Sequence, residues 1–323
     1  MSKRALIVGI DDYDRVSCLK GCVNDALEMQ SVLERHGDGS PNYDCRVLTS
    51  PGKKAITRKF LREQWSELFD SFNGDILFYF SGHGTPTDVG GFLVTQDGEP
   101  GDPGIAMNDL LTLANRSRAN SVLLILDCCF SGDIGNPANL QGGGNIENQA
   151  QLREGLTILA ASRSDQTAAE IGGQGVFTNL VLGALRGGAA DVRGRVSAAS
   201  IYAYVEQALG AWVQRPIYKS HADRLPPVRL CKPDVNDDLL RELPALFSEA
   251  ESEFPMNPSF EHTEDSAIPE NVEIFNKFKA LRNARLLTTF KDKDLYYISL
   301  HSEQARLTQL GQFYWHLAKA GRI

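Results

Sequence analysis

The sequence predicts an α/β protein: a mostly parallel sheet with helices on both faces, followed by a small C-terminal α+β module. Two patterns predict it. Over the first 165 residues, short apolar runs alternate with longer amphipathic ones, as repeated strand–helix–strand units require. The apolar runs are also continuous rather than alternating, which fits strands covered on both faces.

The expected strands are residues 5–10, 45–49, 76–80, 122–126 and 157–161, each rich in Val, Ile, Leu or Phe. Between the first two, residues 23–36 carry Ala26, Leu27, Met29, Val32 and Leu33 at helical spacing. Residues 57–69 repeat the pattern with Phe60, Leu61, Trp65, Leu68 and Phe69, and residues 108–115 form a shorter helix around Leu110, Leu111 and Leu113. Two further helices are expected at 177–185 and 198–213. Residues 133–153 break the alternation, being glycine- and amide-rich, and a loop of this length in a compact domain points to function or disorder. Four prolines in 215–233 read as the exit of the domain, and 255–269 as a linker. The chain is therefore expected to divide into domains 1–233 and 234–323. In the tail, a helix at 271–283, a hairpin of strands 286–290 and 295–300, and a closing helix at 305–320 resemble a winged helix.

Composition excludes several function classes. Net charge is −8, which argues against a nucleic-acid or anionic-membrane binder. The tail alone has 10 Lys and Arg against 15 Asp and Glu, so it lacks the basic face of a DNA-binding winged helix and fits protein contact better. No apolar run approaches the roughly 20 residues that span a bilayer, and the short apolar start reads as cytoplasmic rather than secretory. The six cysteines are too sparse for a disulfide framework.

Ligand sites of open α/β sheets lie at the carboxyl ends of the strands, and two strands here end in reactive groups. Strand 76–80 runs into Ser81-Gly82-His83-Gly84, and strand 122–126 into Asp127-Cys128-Cys129-Phe130-Ser131-Gly132. If the two are neighbours, an imidazole meets a thiol, the pairing that activates a sulfur nucleophile. The N–H groups of Gly84 and Cys129 would be the donors to a developing oxyanion. Taken alone, His83 reads as a solvated residue in a glycine turn; its pairing with a second reactive strand end displaces that reading.

YFSGHGT and LDCCFSG resemble the two active-site motifs of the caspase-like cysteine peptidases, in the metacaspase and bacterial orthocaspase branch. ALIVGIDDY and LKGCVNDA before them and LAASRSDQTAAE and GVFTNLVLGAL after them occur in the matching order, so the resemblance covers about residues 1–230. It implies a caspase-like α/β/α sandwich, His83 as the catalytic histidine and Cys129 as the nucleophile, with Cys128 in a small non-catalytic position. It also implies an S1 pocket floored by Asp25 and Asp127 and lined by Ser162. Two carboxylates there favour a cationic P1 side chain, arginine or lysine. The plainer roles are a helix N-terminal acid for Asp25 and a strand-end cap for Asp127.

Many metacaspases carry acidic calcium clusters. Asp109 matches one such acid, but Gly90, Asn108 and Asn136 fall where others are expected, leaving Asp97, Asp102 and Asp133 as substitutes. Calcium activation is not predicted, and no cofactor or metal is required. Arg153 is the basic residue of the loop after the nucleophile and the candidate for self-processing. The expected protein is an Arg/Lys-directed endopeptidase acting on protein substrates, regulated as a zymogen, with a sensor or activator docking on the tail in a stress or antiviral defence system. A non-catalytic caspase-like adaptor and an Asp-directed caspase are the rival readings.

Overall fold

The apolar runs at 5–10, 76–80, 122–126 and 157–161 form strands with both faces buried, while the run at 45–49 forms a half-buried strand. The computed structural model describes residues 2–87, 90–128, 152–161, 170–171, 174–209 and 216–323. The chain divides into two units, Met1–Ala190 with Arg195–Cys231, and Asp191–Gly194 with Lys232–Ile323.

In chain order the first unit begins β1 (Lys3–Ile10), α1 (Cys22–Leu33), β2 (Asp44–Ser50), α2 (Arg58–Phe69) and β3 (Asp75–Ser81). It continues with β4 (Gly84–Thr87), β5 (Gly90–Glu99), β6 (Asp102–Ala106), α3 (Met107–Arg116), β7 (Ser121–Asp127) and β8 (Leu156–Ala160). After the short pair β9 (Glu170–Ile171) and β10 (Gln174–Gly175) come α4 (Val176–Gly183), β11 (Arg195–Val196), α5 (Ala198–Leu209), β12 (Ile217–His221) and β13 (Arg229–Leu230). The main sheet has the order β12-β8-β7-β3-β1-β2. Its four pairings from β8 to β2 are parallel, and β12 pairs antiparallel with β8.

Successive side chains of these strands enter opposite cores. Leu6, Val8 and Ile10 of β1 with Ile76, Phe78 and Phe80 of β3 pack against Leu61, Trp65 and Leu68 of α2 and Leu110 and Leu111 of α3. Ala5, Ile7, Leu77 and Tyr79 pack against Met29 and Leu33 of α1, Val181 of α4 and Ile201 and Val205 of α5. Two layers of helix on one sheet account for the uninterrupted apolar strands.

Two features of this unit differ from the sequence expectation, and a third expectation is described only in part. Residues 84–106 hold a separate antiparallel sheet, β4-β5-β6. The proline-rich exit contains β12, an edge strand, where flanking proline is tolerated. The helix expected over 198–213 is described as far as Leu209; residues 210–215 lie outside the described residues.

The second unit contains α6 (Asp237–Leu246), β14 (Glu253–Pro255), α7 (Pro269–Asn283), β15 (Leu287–Thr289), α8 (Leu295–Leu300), β16 (Gln304–Leu307) and α9 (Gln309–Lys319). Its antiparallel sheet runs β14-β16-β15. The expected strand at 295–300 is a helix. Asp294 caps it, accepting from Tyr296 N–H at 2.9 Å, and Leu295, Ile298 and Ser299 are buried at the i, i+3, i+4 spacing of one helix face. The partner of β15 is instead β16, and the order is helix, strand, helix, strand, helix. Nor is 255–269 a linker, since Met256 and Phe260 lie in this unit's core.

Candidate active site

β3 and β7 are paired in register, Ser81 opposite Asp127, and Gly82 N–H donates to Asp127 O at 3.4 Å. The two reactive strand ends are therefore side by side. α1 approaches the same edge. Asp11, just past β1, caps it, accepting from Cys22 N–H at 2.9 Å and Val23 N–H at 3.4 Å, a favourable place for an anion. That helix start carries Asp25 to the strand ends.

Asp25 and Asp127 come together there, 1% and 7% exposed. Asp25 Oδ2 accepts from Ser81 Oγ at 3.2 Å and Gly175 N–H at 3.3 Å. Asp127 Oδ2 accepts from Thr178 Oγ1 at 2.6 Å and Thr178 N–H at 3.2 Å. The Thr178 hydroxyl is in turn 2.6 Å from Tyr79 Oη. Both carboxylates border Gly175: a Cβ on that glycine would lie 2.6 Å from Asp127 Oδ2 and 3.2 Å from Asp25 Oδ2. A side chain at 175 would fill the space the two acids share. Among the described residues neither acid has an ion pair, and Asp25 Oδ1 has no hydrogen-bond partner. Burial, then the charge of Asp127, pushes the Asp25 carboxyl up to about 7; burial raises Asp127 as well. Burial and the Asp127 charge disfavour the ionised form of Asp25, an effect that a cation placed beside the two acids would offset.

His83 is half-buried, two residues past Ser81. Its Nε2 is 2.8 Å from the Ser17 carbonyl oxygen. A carbonyl only accepts, so Nε2 carries the hydrogen and Nδ1 is the basic nitrogen of the neutral ring. His83 N–H donates to Tyr13 Oη at 2.8 Å. The phenol ring lies 4.9 Å from the imidazole, tilted by 50°. Val94 N–H donates to His83 O at 3.0 Å, and Gly84 faces Leu93. That makes Gly84 a non-hydrogen-bonded position of the antiparallel pair, its N–H directed away from β5. Sequence reasoning missed Tyr13 and Ser17. The available signal was their place in the loop leaving β1, at the same sheet edge as His83.

Cys128 ends the description of this strand, 2% exposed. Cys129 and Ser162 lie outside the described residues, as do Asp133 and Asn136. Cys22 is near the acids, but burial pushes its thiol well above the ordinary value, so it stays protonated and unreactive. Arg153 is not brought to the site. It precedes β8, at the opposite end of the parallel strands, where its guanidinium donates to Ala114 O, Glu154 O, Ser117 Oγ and Ala119 O at 2.8–3.3 Å. Of the acids considered for calcium, the three candidates besides Asp133 already have cationic or donor partners. Arg62 pairs with Asp109 and Arg58 with Asp102, while Asp97 accepts from Arg58 N–H and Thr95 Oγ1.

The family model for the caspase domain matches residues 2–225. Metacaspase-6 of Arabidopsis thaliana is 29% identical over 187 residues, 53% of this chain and 48% of that protein. Metacaspase-2 of Trypanosoma brucei brucei is 26% identical over 219 residues, 58% and 61% of the two chains. The chain thus spans about half the length of the first of these relatives. Among solved structures, caspase-1 from Spodoptera frugiperda aligns with a TM-score of 0.50 at 14% identity, covering 71% of this chain and 90% of that one. A Geobacter sulfurreducens protein aligns with a TM-score of 0.51 at 16% identity, covering 72% and 98%. With more than half its length matched by one family model, and a six-stranded sheet bearing His83 and the Asp127 segment on adjacent strands, the chain belongs to the caspase-domain family of peptidases.

Proposed function

We propose that the protein is a cysteine endopeptidase that cleaves proteins after arginine or lysine. The observation that carries the specificity is the Asp25–Asp127 pair: two buried acids around Gly175, without a cation among the described residues, and one oxygen without a partner. A guanidinium supplies planar paired donors for such oxygens, and a lysine ammonium supplies the charge. Ser162 completes the pocket in this reading.

Cys129, next but one after Asp127, provides the nucleophile. Cys129 gives its thiol proton to Nδ1 of His83, its sulfur attacks the scissile carbonyl carbon, and the oxygen becomes an oxyanion received by the N–H groups of Gly84 and Cys129. The C–N bond breaks as His83 gives a proton to the leaving amine, leaving a thioester. Water then attacks the thioester carbonyl, His83 takes the water's proton, and the thiolate departs. The chemistry uses no metal. Self-processing after Arg153 is part of the proposal. The four guanidinium bonds at the far end of the sheet must release first, so cleavage runs between molecules. The acidic unit at 232–323 suits docking of a sensor or activator, and the setting proposed is a cytoplasmic stress or antiviral defence system.

Fluorogenic peptides ending in Arg, Lys or Asp, with and without calcium, test the proposal. Wild type turns over the Arg and Lys peptides in both conditions. Asp25→Asn lowers kcat/KM for them by about 100-fold, because it removes one charge of a buried pair, and Cys129→Ala is inactive. Turnover of the Asp peptide alone overturns the pocket, and activity surviving in Cys129→Ala overturns the nucleophile.

A further inference from the structure

The turn Ser81-Gly82-His83 is gripped by a residue outside the motifs. Tyr13 is 7% exposed and lies in the loop between β1 and α1. Its hydroxyl oxygen is 2.8 Å from His83 N–H and its ring is 4.9 Å from the imidazole. His83 O is already held by Val94 N–H. A β-ladder would offer the opposing strand's carbonyl to His83 N–H; here a phenol takes that place. The hydroxyl reaches it only because residue 82 is glycine: a Cβ on Gly82 would lie 2.6 Å from Tyr13 Oη. Ser17, four residues after Tyr13 in the same loop, supplies the carbonyl on Nε2. One loop therefore holds the backbone, one ring face and one ring nitrogen of His83.

We propose that Tyr13 is the positioning residue of the catalytic imidazole: its hydroxyl, admitted by Gly82, fixes the His83 backbone and its ring fixes the tilt, so that Nε2–H stays on the Ser17 carbonyl and Nδ1 remains the working base. Tyr13 touches neither substrate nor the reacting atoms in this role. The inference rests on the reading of His83 and Cys129 as the catalytic pair. Burial keeps the phenol protonated, so it acts as a neutral acceptor across the working pH range.

The test uses the full chain with Tyr13→Phe, Gly82→Ala and Cys129→Ala. Tyr13→Phe keeps the ring and removes the acceptor. It is expected to lower kcat about 10- to 100-fold through misplacement of the base, with KM little changed and the thermal midpoint within a few degrees of wild type. The acid limb of the kcat/KM profile moves as well, because the imidazole is no longer held in one tautomer. Gly82→Ala gives at least a comparable loss, because its Cβ would meet the Phe80 ring at 2.9 Å as well as the Tyr13 hydroxyl. Nitrogen-15 spectra of the ring give a readout independent of turnover: Nε2–H in wild type and mixed tautomers in Tyr13→Phe. Wild-type kcat and an unmoved pH profile in Tyr13→Phe, with Cys129→Ala dead, overturn the inference alone. Turnover surviving in Cys129→Ala overturns the proposed function, and the inference with it. A loss in Tyr13→Phe that tracks only a fall in thermal midpoint reduces Tyr13 to a structural role and overturns the inference.

Discussion

Asp25 sits close to the midpoint of its titration at neutral pH, because burial and the Asp127 charge push its carboxyl up to about 7. Two consequences follow with defined sign. A cationic P1 side chain pairs with the ionised carboxylate, so KM for an arginine peptide is expected to fall as pH rises from 6 to 8. The stability of the unliganded chain moves the other way. A folded-state value above the ordinary carboxylate value, about 4, means that the folded chain keeps a proton which the unfolded chain releases. The stabilisation is complete below that ordinary value and is lost as pH rises through 7. The thermal midpoint should decline over this window, and less steeply in Asp25→Asn; a midpoint that rises from pH 4 to 7 equally in both proteins overturns the assignment. Asp25 entered through the family resemblance, whereas the places of His83 and Asp127 were legible in the sequence because each lies at or just past the end of a strongly patterned strand. Tyr13 and Ser17 were not. They act on His83 through a backbone N–H and through a backbone carbonyl, and neither contact leaves a side-chain pattern to read.

At the level of elements, the five parallel strands were legible because two helical layers force continuous apolar runs on them. The β4-β5-β6 sheet was not, since its Gly- and Pro-rich strands are half solvated and carry little periodicity. α8 was misread as a strand: LYYISL is β-branched and aromatic, and the Asp294 cap together with one-sided burial overrides that propensity. Arg153 shows the opposite relation between element and residue. It looked like a loop residue open to cleavage, yet its guanidinium satisfies carbonyls at the C-terminal end of α3 and just beyond, the groups a helix leaves unpaired. Arg153→Ala should lower the thermal midpoint by about 5 °C, from the loss of several partly buried hydrogen bonds. Intact mass after incubation checks the processing proposal. A product ending at Arg153 should appear at a rate that rises with protein concentration and be absent from Cys129→Ala. A wild type that stays full length while active rules the cleavage out.

At the level of the whole molecule, the two units have separate cores, one set built around the main sheet and one around Phe247, Phe278 and Trp315. Calorimetry should resolve two transitions, because cooperativity belongs to a core rather than to a chain. An arginine-based aldehyde, binding only the folded first unit, should raise one of them and leave the other in place. A single transition shifted as a whole contradicts this. No helix among the described residues is long and apolar enough to cross a membrane. The acidic pocket also has a history built into its sequence order. Asp25 comes from α1 and Asp127 from β7, and Ser81 donates to Asp25 from β3, but the other donors, Gly175 N–H and the Thr178 hydroxyl, come from residues about 50 positions beyond Cys129. A chain emerging from the ribosome therefore exposes its thiol well before it can hold an arginine beside it. On the proposed reading, the arginine pocket is completed later in synthesis than the thiol.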